Sequence, residues 1–281
     1  MKYSANPNWV RTWRGQAPIG TTMVHSQYRT HSFPPHEHEE FTLGFIEQGV
    51  QAYSVEGKKK VMIPSGTICP INPGQVHSGD PGIEAGWSQR VIFITPANLA
   101  HCVKDTLDCE HLSDLHFKDC VLFDKQVLAA LYKAHITSES SDLTSLEKGT
   151  YLVEALKLLT TRYAGARQSK HLQPILPNAI KRAREYIDEH YGNNPSLEEI
   201  AAIAELSPYH LLRVFKSFIG IAPHAYLIQR RVESVRSQII KGRPLKVIAD
   251  ATGYSDQAHL SREFRRFYGV PPSKFARYDQ H

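Results

Sequence analysis

Three histidines in the first third of the chain have the spacing of metal ligands. His36 and His38 lie two residues apart in the stretch FPPHEHEE, and His77 ends the stretch NPGQVH. Alternate residues of a β-strand point to the same side, so we expect the first two side chains to converge with His77 in one cavity. Imidazole nitrogens bind divalent transition metals. The pattern predicts a metal site, a set of side chains that orients a polar effector, or packing alone.

Residues on neighbouring predicted strands could line the same cavity. The candidates are Phe41, Phe45, Tyr53, Trp87 and Arg90. A guanidinium group can bind a carboxylate through two parallel hydrogen bonds, so Arg90 is the candidate partner for an anionic effector. Glu40 is the candidate for a fourth metal ligand, and a divalent metal is the only cofactor that the sequence suggests.

The last hundred residues carry side chains that could read DNA bases. Arginine can bind both acceptors on the edge of guanine, and glutamine can bind adenine in the same two-point manner. Two predicted helices expose such residues: Tyr209, His210, Leu212, Arg213 and Lys216 on one, and Gln257, Ala258, His259, Ser261, Arg262, Arg265 and Arg266 on the other. The same pattern on both helices favours base reading over the alternative, a polar face that contacts only solvent.

One helical pattern occurs twice in this region. It runs as SLEEIAAIAELSPYHLLRVFKSFIGIAPHAY from Ser196 and as PLKVIADATGYSDQAHLSREFRRFYGVPPSKF from Pro244. The offset is 48 residues up to the pair Ser207 and Ser255, and 49 beyond it, because one extra residue enters the second copy. Each copy predicts two short helices joined by a tight turn, a helix-turn-helix, at about 196–218 and 245–267.

Local signals mark the ends of these predicted helices. Ser196 and the glutamate three residues later form a capping box, and Ser207 followed by proline opens the second helix of the first copy. Ser255 is the matching predicted cap in the second copy. Gly253 can adopt a left-handed turn conformation easily, whereas Glu205 at the same place in the first copy would cost about 1 kcal/mol. The first copy is therefore predicted to be the less regular.

A single helix is predicted to join the two copies. Apolar residues recur at helical spacing from 223 to about 241, and Gly242 and Pro244 end the pattern. At 1.5 Å per residue a helix of about 18 residues is roughly 27 Å long. This length is comparable with the ~34 Å between major-groove faces one turn apart. The joining helix would thus set the distance between the two reading helices.

The first part of the chain predicts a β-rich domain followed by helices. Runs of β-forming residues between Gly and Pro turns favour a sandwich or barrel; they cover 41–45, 51–55, 61–63, 67–71 and 90–94. Apolar stripes between about 124 and 163 predict helices packed on it. The predicted fold class is therefore α+β with two domains: a β-barrel or sandwich with helices at 1–164, a linker at 165–177, and an all-α domain at 178–281.

Charge is distributed unevenly between these domains. Residues 178–281 contain 16 Lys+Arg and 11 Asp+Glu, and residues 1–177 contain 17 of each, so the formal net charge of +5 lies entirely in the region with the repeat. A basic module joined to a neutral one indicates that the C-terminal domain faces a polyanion.

The sequence also argues against secreted and membrane proteins. It has no signal-like start and no apolar run of about 18 residues, which predicts a cytoplasmic protein with no membrane partner. The four cysteines, Cys69, Cys102, Cys109 and Cys120, form no CxxC pair and are predicted to be thiols rather than disulfides or zinc ligands.

The C-terminal region resembles the DNA-binding domain of AraC/XylS-type bacterial transcription regulators. The features that carry the resemblance are the paired helix-turn-helix units, the joining helix with Arg230, Arg231 and Val232, and the closing stretch GVPPSKF, over about residues 178–278. The histidine motifs resemble those of cupins, which hold a metal with three histidines and a carboxylate, and the cupin-like sensor domain of the same regulators. The resemblance implies base contacts from Tyr209, Leu212, Arg213, Gln257, Ala258, His259, Ser261 and Arg262, with Lys216 beside them. Leu212 and Ala258 can offer only a contact to a thymine methyl group.

These patterns predict a DNA-binding transcription regulator and not an enzyme. The resemblance implies an activator more often than a repressor. The expected partners are double-stranded promoter DNA, RNA polymerase, a second copy of the chain in a homodimer, and a small-molecule effector that shifts the arrangement of the domains. Two alternatives stay open: a metal-dependent cupin oxygenase or isomerase fused to a DNA-binding domain, and an architectural DNA binder whose barrel serves only for dimerisation.

Overall fold

The structure, a computed structural model, describes residues 8–15, 20–104, 115–166 and 176–275. Most of the predicted linker and Cys109 lie outside these ranges. The first strands in the chain are β1 (Trp9–Arg14), β2 (Thr22–Tyr28), β3 (Phe33–His36), β4 (Phe41–Val55), β5 (Val61–Pro64), β6 (Ile68–Ile71), β7 (His77–Pro81) and β8 (Trp87–Ile94). They pair antiparallel in the order β1-β2-β8-β4-β7-β3, and β5 and β6 also pair with β4. The predicted β-rich domain is thus confirmed as a half-barrel.

The long strand β4 belongs to both halves of this half-barrel. Its first part pairs with β8 and β6, and its second part pairs with β5 and β7. The strand bends where the register shifts between Ile46 and Gln48, next to Gly49, whose φ is 76°. The sequence predicted two separate strands here because Gly49 has the signature of a turn. The structure shows one bent strand.

Alternate residues of β4 and β8 face two different layers. One layer is a core between the sheet and three helices, α1 (Pro96–Val103), α2 (Lys125–Ser138) and α3 (Ser145–Tyr163). Leu43 and Ile92 are fully buried in it. The opposite face of the same strands, including Gly44 and Val91, lines an interior cavity. A small sheet of β9 (Leu115–Phe117) and β10 (Ala164–Ala166) lies beside the helices, so the first two residues of the predicted linker belong to a strand.

The C-terminal part contains two helix-turn-helix units that share one helix. Its helices are α4 (Asn178–His190), α5 (Leu197–Ala204), α6 (Pro208–Ile219), α7 (Pro223–Ile240), α8 (Leu245–Ala251), α9 (Gln257–Tyr268) and α10 (Pro272–Phe275). The N-terminal end of α7 packs Tyr226 and Leu227 into the core of the first unit, and its later residues Val232 and Val235 pack into the core of the second. The helix has 18 residues, as predicted.

Within the described ranges no single helix is long and apolar enough to cross a membrane. The helices α6 and α7 meet the length and composition test only when taken together, and they are bent by 58° relative to each other.

Most of the predicted helix ends are confirmed. Ser196 and Glu199 form the capping box at the start of α5, and Ser207 caps α6 by accepting a backbone N–H. Both turn residues are left-handed, with φ of 56° at Glu205 and 75° at Gly253. The glutamate therefore adopts a conformation that costs a non-glycine residue about 1 kcal/mol.

The predicted cap of α9 was wrong. The residue that caps α9 is Asp256, not Ser255, because the Asp256 carboxylate accepts the backbone N–H of His259 at 2.6 Å. A carboxylate also suits the positive end of the helix dipole better than a hydroxyl does. The extra residue of the second copy therefore lies between the turn at Gly253 and the cap, and Asp256 is the structural equivalent of Ser207.

Candidate functional site

The outward face of α6 carries polar and aromatic side chains. Its apolar residues Leu211 and Phe215 are fully buried. The predicted reading residues are exposed: Tyr209, His210, Leu212, Arg213 and Lys216. Tyr209 is the most prominent, with 78% of its surface accessible. The polar and apolar residues thus occupy opposite sides of the helix, as a reading helix requires.

The outward face of α9 is more strongly basic. Leu260 and Phe264 are buried, and the exposed residues are Gln257, Ala258, Arg262, Arg265 and Arg266. His259 and Ser261 are half-buried. The His259 ring packs edge-on against Tyr254, with ring centroids 5.2 Å apart. Among the predicted reading residues of α9, Gln257 and Arg262 are thus the exposed polar ones, whereas His259 and Ser261 are held closer to the protein.

A cavity lies between the half-barrel and the C-terminal helices. Its volume is about 120 Å³, counted as the space open to the centres of water molecules. This is well above the ~10–15 Å³ that one water needs, so the cavity can hold a small ligand. Seven lining residues come from α7, α9 and α10: Gln229, Val232, Glu233, Arg236, Phe267, Tyr268 and Phe275. An occupant would therefore contact both parts of the protein.

The three predicted histidines converge in this cavity. The His36 ring centroid is 4.2 Å from that of His77 and 4.9 Å from that of His38. One nitrogen from each ring lies within 4.8 Å of the others. Burial lowers the pKa of all three imidazoles below the usual value. The rings are therefore neutral at pH 7 and keep a lone pair for a ligand.

Two family models match the chain over the two parts described above. An AraC-like ligand binding domain matches residues 18–156, and a helix-turn-helix domain matches residues 200–278. The chain belongs to the AraC family of transcription regulators. The first match covers the half-barrel with its helices, and the second covers both helix-turn-helix units.

Individual AraC-type relatives agree with this assignment. The uncharacterized HTH-type transcriptional regulator YbfI of Bacillus subtilis is 29% identical over 229 residues, which are 81% of each chain. LumQ of Photobacterium leiognathi, a probable transcriptional regulator, is 22% identical over 253 residues, 88% of this chain and 92% of LumQ. The crystal structure of unsaturated fatty acid-bound ToxT from Vibrio cholerae has the same fold, with a TM-score of 0.56, 12% identity, and coverage of 98% of this chain and 96% of ToxT. The protein is thus a DNA-binding regulator with a ligand-binding domain, and the relatives that match it over most of its length are transcription regulators.

The predicted effector contact Arg90 lies outside the cavity of this AraC-type sensor. Its side chain leaves β8 on the face that packs against α2 and α3, where Phe41 and Phe45 also lie. There Nε donates to Glu47 at 2.7 Å and Nη1 donates to Glu139 at 2.8 Å. Two carboxylates already satisfy the guanidinium, and the strand alternation directs it away from the cavity. The predicted cavity roles of Phe41, Phe45 and Arg90 were therefore wrong.

The other two predicted effector residues differ in position. Tyr53 lines the cavity and is 3% exposed. Trp87 is fully buried behind the wall, where its ring lies 5.2 Å from that of the lining residue Tyr28. Trp87 therefore supports the wall and does not reach the cavity.

The sequence did not predict the contacts that join the sensor to the DNA-binding region. The carboxylate of Glu40, predicted as a metal ligand, lies 3.7 Å from the guanidinium of Arg236 on α7. Glu39 pairs with Arg230 at 3.0 Å, again on α7. In HEHEE the histidines line the cavity and the glutamates reach α4 and α7. Glu40 is in phase with the two histidines, and only His36 lies in a strand, so no period in the sequence could have revealed these contacts.

Proposed function

We propose that this regulator activates transcription in response to a small effector that binds between its two domains. The sensor comprises residues 1–166, which include strand β10, a linker follows up to residue 177, and residues 178–281 bind DNA. The observation that supports this proposal is the shared wall of the cavity, where Gln229 and Phe267 of the DNA-binding domain stand beside His36 and Tyr53 of the sensor. A ligand that contacts both domains has different affinities for different domain arrangements, which is the condition for allosteric coupling.

The cavity favours a small effector that is largely apolar and carries a polar group. Its walls contain many aliphatic and aromatic side chains, together with polar ones that include the three histidines, Glu233 and Arg236. This combination is typical of sites where apolar surface supplies affinity and a few polar groups fix orientation. The unsaturated fatty acid bound by ToxT is a ligand of this general kind, an apolar chain with one polar end.

On the DNA side, α6 and α9 are the proposed reading helices. Their proposed contacts are Tyr209, Leu212, Arg213 and Lys216 from α6, and Gln257, Ala258, His259, Ser261 and Arg262 from α9. The α7 helix, about 27 Å long at 1.5 Å per residue, holds them at a distance suited to successive major-groove faces of promoter DNA. We expect α9 to contribute more to sequence reading than α6, because its face carries more arginine.

The active species is proposed to be a homodimer that contacts RNA polymerase. Exposed apolar residues on and before the sensor helices support this part of the proposal, since a contact between two copies could remove them from water. Phe123 is 73% exposed, Leu146 is 80% exposed and Ile136 is 41% exposed. A dimer would present four helix-turn-helix units and so lengthen the DNA site that is read.

A ligand screen combined with DNA binding tests the effector proposal. DNA sites are selected from a random-sequence pool, small apolar acids and alcohols are screened by thermal shift, and a stabilising compound is added to a DNA-affinity titration. We expect it to change the DNA affinity of the wild type and of Phe218→Ala but not of Phe267→Ala. Phe218 and Phe267 are equivalent in the repeat, and only Phe267 lines the cavity. A screen with no stabilising ligand, or a ligand that leaves DNA affinity unchanged, would favour an architectural DNA binder instead.

A further inference from the structure

We propose that His36, His38 and His77 bind one divalent transition-metal ion inside the effector cavity. The proposal shares its location with the proposed function, but it stands on the geometry and chemistry of the donor atoms. It goes beyond the proposed function, which treats this cavity only as a site for an organic effector.

The three donors are close enough to share one ion. Their nitrogens lie within 4.8 Å of one another. Nitrogens bound to a tetrahedral ion at about 2.1 Å lie about 3.4 Å apart. Small rotations of the rings therefore suffice to bring His36, His38 and His77 onto a common ion.

Backbone carbonyls orient two of the rings as they would in a metal site. Nδ1 of His36 lies 2.7 Å from the carbonyl oxygen of Pro34, and Nδ1 of His77 lies 3.0 Å from that of Gln75. A carbonyl oxygen only accepts, so each Nδ1 carries the proton and each Nε2 keeps a free lone pair. Ligand histidines in metalloproteins are commonly fixed in this way by a second hydrogen bond.

The donor set indicates which ions would bind. Three imidazoles suit Zn²⁺, Co²⁺, Ni²⁺, Cu²⁺ or Fe²⁺, and not Mg²⁺ or Ca²⁺, which prefer oxygen ligands. The carboxylates of the same segment, Glu39 and Glu40, are paired with arginines of α7. The bound ion would thus keep its positive charge and an open coordination position, which an anionic group of an effector could fill.

Tyr53 provides an independent sign of a polar occupant. Its side chain lines the cavity and is 3% exposed, and its hydroxyl has no hydrogen-bond partner in the described part of the chain. Its ring centroid lies 6.2 Å from that of His77. A buried hydroxyl without a partner is costly, so a ligand on the ion could accept a hydrogen bond from Tyr53.

Cobalt titration of the full-length, untagged protein tests the site. After removal of metal by chelation, Co²⁺ is added and its visible absorption is followed, with metal content measured separately by mass spectrometry. We expect one Co²⁺ per wild-type chain. His36→Ala and His77→Gln should each weaken binding by on the order of 100-fold or more, since even the loss of an outer-sphere partner costs 10–100-fold. The control is His101→Ala, an exposed histidine on α1, which should bind like the wild type.

The outcomes separate the metal site from the proposed function. Circular dichroism identifies any variant that fails to fold. If one of the two histidine variants is unfolded, the Co²⁺ affinity of the other is compared with that of the wild type. Fewer than one Co²⁺ per wild-type chain, or equal affinity in the folded histidine variants, overturns the metal site. Effector-dependent DNA binding in chelated protein would leave the proposed function intact in that case. If the protein binds one Co²⁺ per chain but no effector changes its DNA affinity, the metal site is supported and the proposed function is not.

Discussion

Glu37 and Gln229 exchange two hydrogen bonds across the boundary between the sensor and the DNA-binding region. The backbone N–H of Glu37 donates to Oε1 of Gln229 at 3.2 Å, and Nε2 of Gln229 donates to the Glu37 carbonyl at 2.6 Å. The Glu37 carboxylate lies 3.4 Å from the guanidinium of Arg184 on α4. Burial raises the pKa of this carboxyl to about 7, although Arg184 acts in the opposite direction. This pair joins the histidine segment directly to the helix that both helix-turn-helix units share.

The first prediction concerns this junction. Gln229→Ala should lower the free energy of unfolding by about 1–3 kcal/mol, because it leaves buried backbone groups of Glu37 without partners. Urea denaturation measures the loss. Gln238→Ala is the matched control, since Gln238 also lies on α7 but bonds only to residues within or just after that helix. Equal effects of the two substitutions would mean that the junction contributes nothing beyond helix stability.

The second prediction concerns base reading. Arg213→Ala and Arg262→Ala should each weaken binding to the selected DNA site by about 1–3 kcal/mol while changing affinity for random DNA less. A fluorescence-anisotropy titration on both DNAs at one salt concentration gives the comparison. Should both affinities fall equally, these arginines contact phosphates and not bases.

The third prediction distinguishes the two candidate caps of α9. Asp256→Ala should lower the melting temperature of the protein, because the backbone N–H of His259 loses its acceptor. Ser255→Ala, one residue earlier, should leave it nearly unchanged. Thermal unfolding followed by circular dichroism measures both. The opposite ranking would restore Ser255 as the cap.

The fourth prediction concerns acid stability. The buried His135 imidazole lies with Nδ1 2.9 Å from Nη1 of Arg90 and Nε2 3.0 Å from the Val24 carbonyl. Burial and then Arg90 lower its pKa from 6.5 to about 3. Glu47 and Glu139 pair with the same guanidinium, and His25 lies close by, bonded to Glu47. Between these two pKa values the unfolded state binds a proton that the folded state does not. The stability that neutral His135 contributes is therefore fully present above pH 6.5 and is lost as pH falls toward 3.

His135→Gln should therefore flatten the pH dependence of stability. Each proton bound only by the unfolded state removes about 1.4 kcal/mol per pH unit, and the substitution removes one such proton between pH 6 and pH 4. Urea denaturation at several pH values gives the slope. His101→Gln, an exposed histidine, should retain the wild-type slope, and a wild-type slope in His135→Gln would refute the assignment.

The sequence predicted the elements better than it predicted which face each side chain occupies. The capping box, the left-handed turns and the shared helix follow from local propensities, and the structure confirms them. The convergence of His36, His38 and His77 was predicted from the two-residue period of a strand and is confirmed, although only His36 and His77 lie in strands. The wrong prediction for Arg90 had the same origin, because period alone does not say which of two buried faces is the cavity. Both faces of β8 are covered, and only tertiary packing distinguishes the helix layer from the interior.

The contacts between domains could not be predicted from local patterns. Glu37 and Gln229 lie 192 residues apart, and no spacing rule connects residues at such a separation. The cap of α9 was mispredicted for a more local reason. Two adjacent residues, Ser255 and Asp256, can both cap a helix, and the position of the extra residue in the second copy decided between them.

The HEHEE segment directs its histidines into the cavity and its glutamates to the DNA-binding helices, although only His36 of the five residues lies in a strand. Because the conformation of a short loop sets these directions, a one-residue insertion or deletion here would displace both sets of contacts together. Substitutions at single positions would alter only one contact at a time. We therefore expect evolution to conserve the length of this segment more strictly than any one of its residues, so that effector specificity can change among descendants without loss of the connection to DNA.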